Sequence, residues 1–200
     1  MKLFDNTYAL PPLLWRKEGL LARASKLKLM LVFVGCGLAQ NSVVLAQVAN
    51  EYEIKAAYLE KVARFIDWPE NSISSDSTIN VCVIGRNTFG NILEESYSTR
   101  TIKNKKVTVY SNTSQIKHCD ILFIASDKQK DLLGLLQIAQ KNNILTFSDT
   151  DGFAEKGVHV NFYTKDERIF FEINLTALKE SGFNAGSLLL DYAKIVKTKK

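Results

Sequence analysis

The chain has 200 residues, 46% of them apolar and 24% charged, a balance that suits one domain with its own core and excludes a disordered or fibrous chain. Its net charge of +5 is unevenly placed. Of the 26 Lys/Arg and 21 Asp/Glu, six and two fall in residues 1–46, so the remainder stands at 20 against 19, a net of +1, with no basic field for nucleic acid.

The first residues read as an export signal. Arg16, Lys17, Arg23, Lys26 and Lys28 form a basic region, Leu29–Leu38 a short apolar one, and Val44-Leu45-Ala46 supplies small or aliphatic residues before a cut. The apolar run is shorter than the roughly 20 residues that span a bilayer. The reading is a signal peptide over residues 1–46, cleaved near Ala46, that exports the rest as a periplasmic or secreted domain. Two alternatives stay open. Gly35-Cys36 has the look of a lipoprotein cleavage site, although Phe33 fits it poorly. Leu29–Ala46 would serve as an uncleaved anchor, although Gln40-Asn41-Ser42 interrupts it. The domain then covers residues 47–196, and residues 197–200 are a basic tail.

Glu51–Pro69 carries Ile54, Tyr58, Leu59, Val62, Phe65 and Ile66 at helical spacing, with Glu51→Lys55 and Glu60→Arg64 as i,i+4 ion pairs. Pro69 disfavours the α conformation at Trp68 and ends the helix. The spacing predicts a buried strand over Ile79–Ile84 and a short helix over Phe89–Glu95, capped by Asn87 or Thr88. A half-buried strand over Lys106–Tyr110, a buried strand over Asp120–Ala125, a helix over Asp131–Asn142 and a third buried strand over Asn143–Phe147 follow. Strands over Val158–Phe162 and Arg168–Ile173 flank a turn at Tyr163–Glu167. Asn174 caps a helix over Leu175–Glu180, Gly182 ends it, and a last helix over Ala185–Val196 turns Leu188, Leu189, Tyr192 and Val196 to the core. Buried strands joined by helices make the fold class α/β: a single three-layer domain, with a mixed, mostly parallel sheet of about six strands, helices on both faces and antiparallel strands near the C-terminus.

Export leaves Cys82 and Cys119 as an even pair in an oxidising compartment. If their apolar runs are neighbouring strands, a disulfide between them closes a loop of about 37 residues; otherwise both are buried thiols. No catalytic residue, metal or cofactor is expected. His118 and His159 lack partners at metal-ligand spacing, and Gly85–Gly90 follows a strand but matches neither phosphate-binding motif. Asp149-Thr150-Asp151-Gly152 lacks the rest of a calcium loop and reads as an acidic turn. The chemistry left is binding.

Several segments, in order, resemble the YfiR family of small periplasmic proteins (YfiR/HmsC-like). They are Ile54–Leu59 running to Phe65-Ile66-Asp67-Trp68-Pro69, Val81–Gly85 with Phe89-Gly90, His118–Ile124, Ile144–Asp149, Gly152-Phe153-Ala154 before Gly157-Val158, and Phe171–Leu175 with Ser187-Leu188-Leu189. The resemblance implies a non-enzymatic regulator that binds and inhibits the periplasmic domain of a membrane-bound diguanylate cyclase. That lowers cyclic-di-GMP and with it biofilm and exopolysaccharide output. It also implies an outer-membrane lipoprotein partner, release under redox or envelope stress, and self-association into a homodimer. Some members carry a second disulfide where this chain has Phe153–Gly157 without cysteine, which leaves Cys82–Cys119 alone to respond to redox. Expected partner-binding residues are Trp68, Glu172, Asn174 and Leu178, with the alternative that Trp68 and Phe65 fill the core. The alternative function is a small-ligand sensor with Arg86, Ser126 and Asp149 in the loops that follow the parallel strands.

Overall fold

A computed structural model describes residues 51–70, 72 and 78–199. The signal peptide, the cut at Ala46 and Cys36 lie outside the described residues.

Helix α1 covers residues 51–65, followed by the strands β1 (Ile66–Asp67) and β2 (Thr78–Ile84). Next come α2 (Ile92–Tyr97), β3 (Lys106–Ser111), β4 (Ile121–Ile124), α3 (Leu132–Lys141) and β5 (Leu145–Ser148). The chain continues through β6 (Val160–Lys165), β7 (Arg168–Asn174), α4 (Leu175–Glu180), β8 (Asn184–Ala185), α5 (Ser187–Leu190) and β9 (Lys194–Val196). Seven strands form the main sheet in the order β3-β2-β4-β5-β6-β7-β9. All pairings are parallel except the β6–β7 hairpin. The first five strands thus follow the 2-1-3-4-5 order of a flavodoxin-like doubly wound sheet.

Side chains alternate across the sheet and build two cores. Val81, Val83, Ile121, Phe123, Leu145, Phe147, Val160 and Phe162 face α1 and α2. On the other side Cys82, Ile84, Leu122 and Ile124 pack under Leu132, Leu135 and Ala139 of α3. Burial on both faces explains why β2 and β4 read as continuous apolar runs.

Four expectations from the sequence are corrected. First, α1 ends at residue 65, and Ile66–Asp67 becomes a strand paired antiparallel to β8. Its buried face holds Lys55, Ala56, Leu59, Val62 and Ala63, with Ile66 of β1 buried just beyond it, while Ile54 and Phe65 are exposed. Two alanines let the helix lie close to the sheet, and ion pairs hold Lys55 inward, which turns Ile54 and Phe65 out. Second, the helix expected over Phe89–Glu95 starts three residues later. Phe89 is instead a core ring, edge-on to Tyr52 and Phe123 at 5.0 and 4.8 Å. Asn87 braces the turn before it, its Oδ1 accepting the Phe89 N–H at 3.1 Å. Third, the β6–β7 turn is only Asp166-Glu167, both at positive φ as a tight two-residue hairpin turn requires. Fourth, the helix expected over Ala185–Val196 breaks into β8, α5 and β9. Ile195 and Val196 are β-branched, and pairing with β7 gives their backbone a ladder that outweighs local helix spacing. Leu189 and Val196 are buried as expected, but Leu188 and Tyr192 face solvent.

Candidate interaction surface

The broken C-terminal helix and the rotated α1 together leave an apolar groove. Tyr58, Val62 and Phe65 of α1 form one wall, Leu188, Leu189 and Tyr192 the other, with Phe171 of β7 beneath. The groove has a volume of about 160 Å³, its exposed lining is apolar, and Lys61 stands at its edge. Phe65, Leu188 and Tyr192 are 47%, 56% and 73% exposed. Backbone bonds fix the spacing of the walls. Ile66 pairs with Ala185 and Asp67 with Asn184, and the Gly186 N–H donates to the Phe65 carbonyl at 3.3 Å. Tyr58 packs against Phe162 and Phe171 with ring centres 6.5 and 6.1 Å away, which ties the groove floor to the core. A clustered, exposed apolar patch is a place where another apolar surface can dock. Burying one such side chain contributes about 1.5–3 kcal/mol.

The expected partner-binding residues lie elsewhere. Trp68 is half-buried; its Nε1–H donates to the Ala63 carbonyl at 3.0 Å and its ring stands edge-on to Phe183 at 5.5 Å. Leu178 is fully buried in the core. Asn174 is fully buried too. Its Oδ1 accepts the Ala177 N–H at 3.0 Å, the helix cap that the sequence predicts, and its Nδ2 donates to the Ala154 carbonyl and to Thr198 Oγ1, each at 2.8 Å. Glu172 is half-buried and paired with Lys194 at 2.7 Å. The groove residues escaped sequence reading because their helical spacing assigned them to the core. The available signal was excess: α1 carries more large apolar residues than one helix face buries.

At the opposite strand ends, Arg86 and Ser126 are exposed on loops and Asp149 is half-buried after β5. The crevice between β2 and β4 is filled by the chain itself. Asp127 Oδ1 accepts the Arg86 N–H and Asn112 Oδ1 the Gly85 N–H, both at 2.9 Å. Gly85 has φ +97°, and a Cβ there would stand 2.3 Å from Asp127 Oδ1, so only glycine fits. Asp149 accepts Lys55 Nζ at 2.6 Å and the Tyr52 hydroxyl at 2.8 Å. Burial pulls the Lys55 ammonium down, but hydrogen bonds to Asp149 and Glu51 outweigh it, and the net shift is upward. Burial also raises the Tyr52 phenol, and the Asp149 carboxylate beside it adds to the rise.

His159 sits beside Ser181, the one Ser–His contact among the described residues that invites a catalytic reading. Its Nδ1 accepts the Thr146 N–H at 3.2 Å, and its Nε2 lies 3.0 Å from Ser181 Oγ. Burial pushes the imidazole down to about 4, so it is neutral at pH 7, with its single proton on Nε2. That proton faces the Ala177 backbone as well as Ser181 Oγ, and the one lone pair is taken by the Thr146 N–H. His159 therefore cannot accept the Ser181 proton, and the pair is no nucleophile–base dyad. No group of three or more His, Cys, Asp or Glu side chains among the described residues is placed to hold a metal.

Cys82 and Cys119 form the disulfide, with Cα atoms 5.9 Å apart. Cys82 lies on β2, Cys119 just before β4, and these strands are parallel neighbours, the condition under which the sequence allows the bond. Asp120 beside it accepts the Asn80 N–H at 2.6 Å, yet burial holds its carboxyl above the ordinary value.

No curated protein sequence matches the chain. Among solved structures, a conserved domain protein of Vibrio cholerae O1 biovar eltor str. N16961 is similar with a TM-score of 0.51 and 11% identity, over 71% of this chain and 60% of that one. The ligand-free, open form of CD0873, a substrate binding protein with adhesive properties from Clostridium difficile, gives a TM-score of 0.47 and 19% identity, over 61% of this chain and 55% of that one. The chain thus spans little more than half the length of either, and the Vibrio structure supports the fold alone. The family model described as YfiR/HmsC-like matches residues 52–194. That span runs from the start of α1 into β9 and includes every ordered segment quoted from the sequence, so the chain belongs to the YfiR/HmsC-like family.

Proposed function

We propose that this protein is a periplasmic, non-catalytic regulator that binds the periplasmic domain of a membrane-bound diguanylate cyclase and holds it inactive, so that cytoplasmic cyclic-di-GMP stays low. Family membership over residues 52–194 carries the reading. The geometry adds a surface suited to it: the groove of Phe65, Leu188 and Tyr192 is apolar, exposed and rigidly spaced. The neutral, misdirected His159 beside Ser181 supports a role without catalysis. Among the described residues no helix is long and apolar enough to cross a membrane.

The test is genetic and biochemical together. Deleting the gene raises cyclic-di-GMP, the wild-type copy restores the low level, and a copy with Leu188→Asp and Tyr192→Asp, exported at the wild-type amount, does not. An unchanged cyclic-di-GMP level on deletion, under both oxidising and reducing conditions, overturns the reading.

A further inference from the structure

On the face of the sheet away from the groove, a crevice of about 240 Å³ opens between α3 and α4. Its floor is Thr146 and His159. Leu133, Leu136 and Ala177 give it an aliphatic wall, and Gln137 and Gln140 offer side-chain amides along α3. Two opposite charges also line it, Lys156 and Glu180, and neither forms an ion pair among the described residues. The Lys156 ammonium stands over the Phe153 ring at 5.5 Å. Ser181, almost fully buried, presents one more group. Its Oγ lies 3.0 Å from His159 Nε2 at the floor of the crevice. No Phe, Tyr or Trp belongs to the lining, and the only ring there is the buried His159 imidazole of the floor.

We propose that this crevice binds a small aliphatic zwitterion, a molecule with a free ammonium and a free carboxylate on a short apolar body, such as an aliphatic amino acid. Lys156 and the Ser181 hydroxyl serve the carboxylate, Glu180 the ammonium, and Leu133, Leu136 and Ala177 the body. At about 240 Å³ the crevice has room for a small molecule the size of an amino acid. A zwitterion satisfies both unpaired charges at once, whereas an anion or a cation leaves one of them facing a like charge or nothing. The site does not rest on the cyclase reading: it lies on the opposite face from the groove and uses none of its residues.

L-leucine is the probe, titrated into the purified protein by calorimetry, with 4-methylpentanoate and 3-methylbutylamine as analogues that each lack one charge. The His159 imidazole resonance reports occupancy of the floor. The expected result is saturable leucine binding that shifts this resonance, with each analogue weaker by about tenfold or more. Lys156→Gln and Glu180→Gln each weaken leucine by a similar factor while thermal unfolding stays at the wild-type value, since both side chains are exposed. Absence of saturable binding at millimolar leucine overturns the proposal, as does binding that either analogue or either variant leaves unchanged.

Discussion

His159 makes the acid side of stability depend on one buried ring. In the native protein burial holds its imidazole down to about 4, against an ordinary value of 6.5. Between these values the unfolded chain binds a proton that the folded chain refuses. Stability is therefore intact above pH 6.5 and falls as pH drops toward 4, by about 3 kcal/mol from this ring. Urea unfolding at pH 7 and pH 4.5 measures it: the wild type loses stability over that interval, and His159→Gln, itself less stable at pH 7, loses distinctly less. Equal losses refute the assignment. A second residue-scale prediction concerns Lys55, which is only 4% exposed and is held by Asp149 at 2.6 Å and Glu51 at 2.7 Å. Lys55→Met leaves the Asp149 carboxylate half-buried with only the Tyr52 hydroxyl, at a cost of about 3 kcal/mol. Adding Asp149→Asn recovers part of it, and a double variant no more stable than Lys55→Met argues against coupling. The sequence showed the Glu51→Lys55 pair but gave no sign of Asp149, 94 residues away, because only the folded sheet brings β5 under α1.

At the scale of elements, the disulfide joins β2 to the start of β4 across a separation of 37 residues. Closing a loop of that size in the unfolded chain contributes about 3–4 kcal/mol in the chain-entropy model. Unfolding in urea with and without dithiothreitol checks this: reduction lowers the midpoint while far-UV circular dichroism of the native form stays the same, because β2 and β4 keep their ladder. A midpoint unmoved by reduction contradicts it. The central strands were legible because burial on both faces leaves an unbroken apolar run, as in Ile121–Ile124. The C-terminal stretch was not. Leu188, Leu189, Tyr192 and Val196 are spaced as a helix, yet the edge of β7 offered Lys194–Val196 a backbone ladder, a long-range partner that no local pattern encodes. The same limit hid the pairing of Ile66–Asp67 with Asn184–Ala185, two-residue strands too short to alternate.

Across the whole molecule, the two misread segments meet. The turn of α1 that exposes Phe65 and the break that exposes Leu188 and Tyr192 lie on facing walls, joined by the β1–β8 ladder and the Gly186 bond to Phe65. A fold keeps such exposed apolar side chains at a solubility risk, and the stability response separates a docking surface from a poorly formed core. Core residues carry stability: Leu59→Ala, on the same helix as Phe65, removes a fully buried side chain and costs about 2–3 kcal/mol. Leu188→Ser and Tyr192→Ser remove side chains that are 56% and 73% exposed, and each changes unfolding free energy by no more than about 0.5–1 kcal/mol. The same two substitutions abolish repression of cyclic-di-GMP if the groove receives the partner, whereas Leu59→Ala, outside the groove lining, weakens repression only in proportion to the folded protein it leaves. Urea unfolding and cyclic-di-GMP measurements on the three variants give a crossed pattern, stability lost at one position and repression at the other two. Large stability losses at Leu188 and Tyr192 would instead make the groove a structural seam and move the docking surface elsewhere on the molecule.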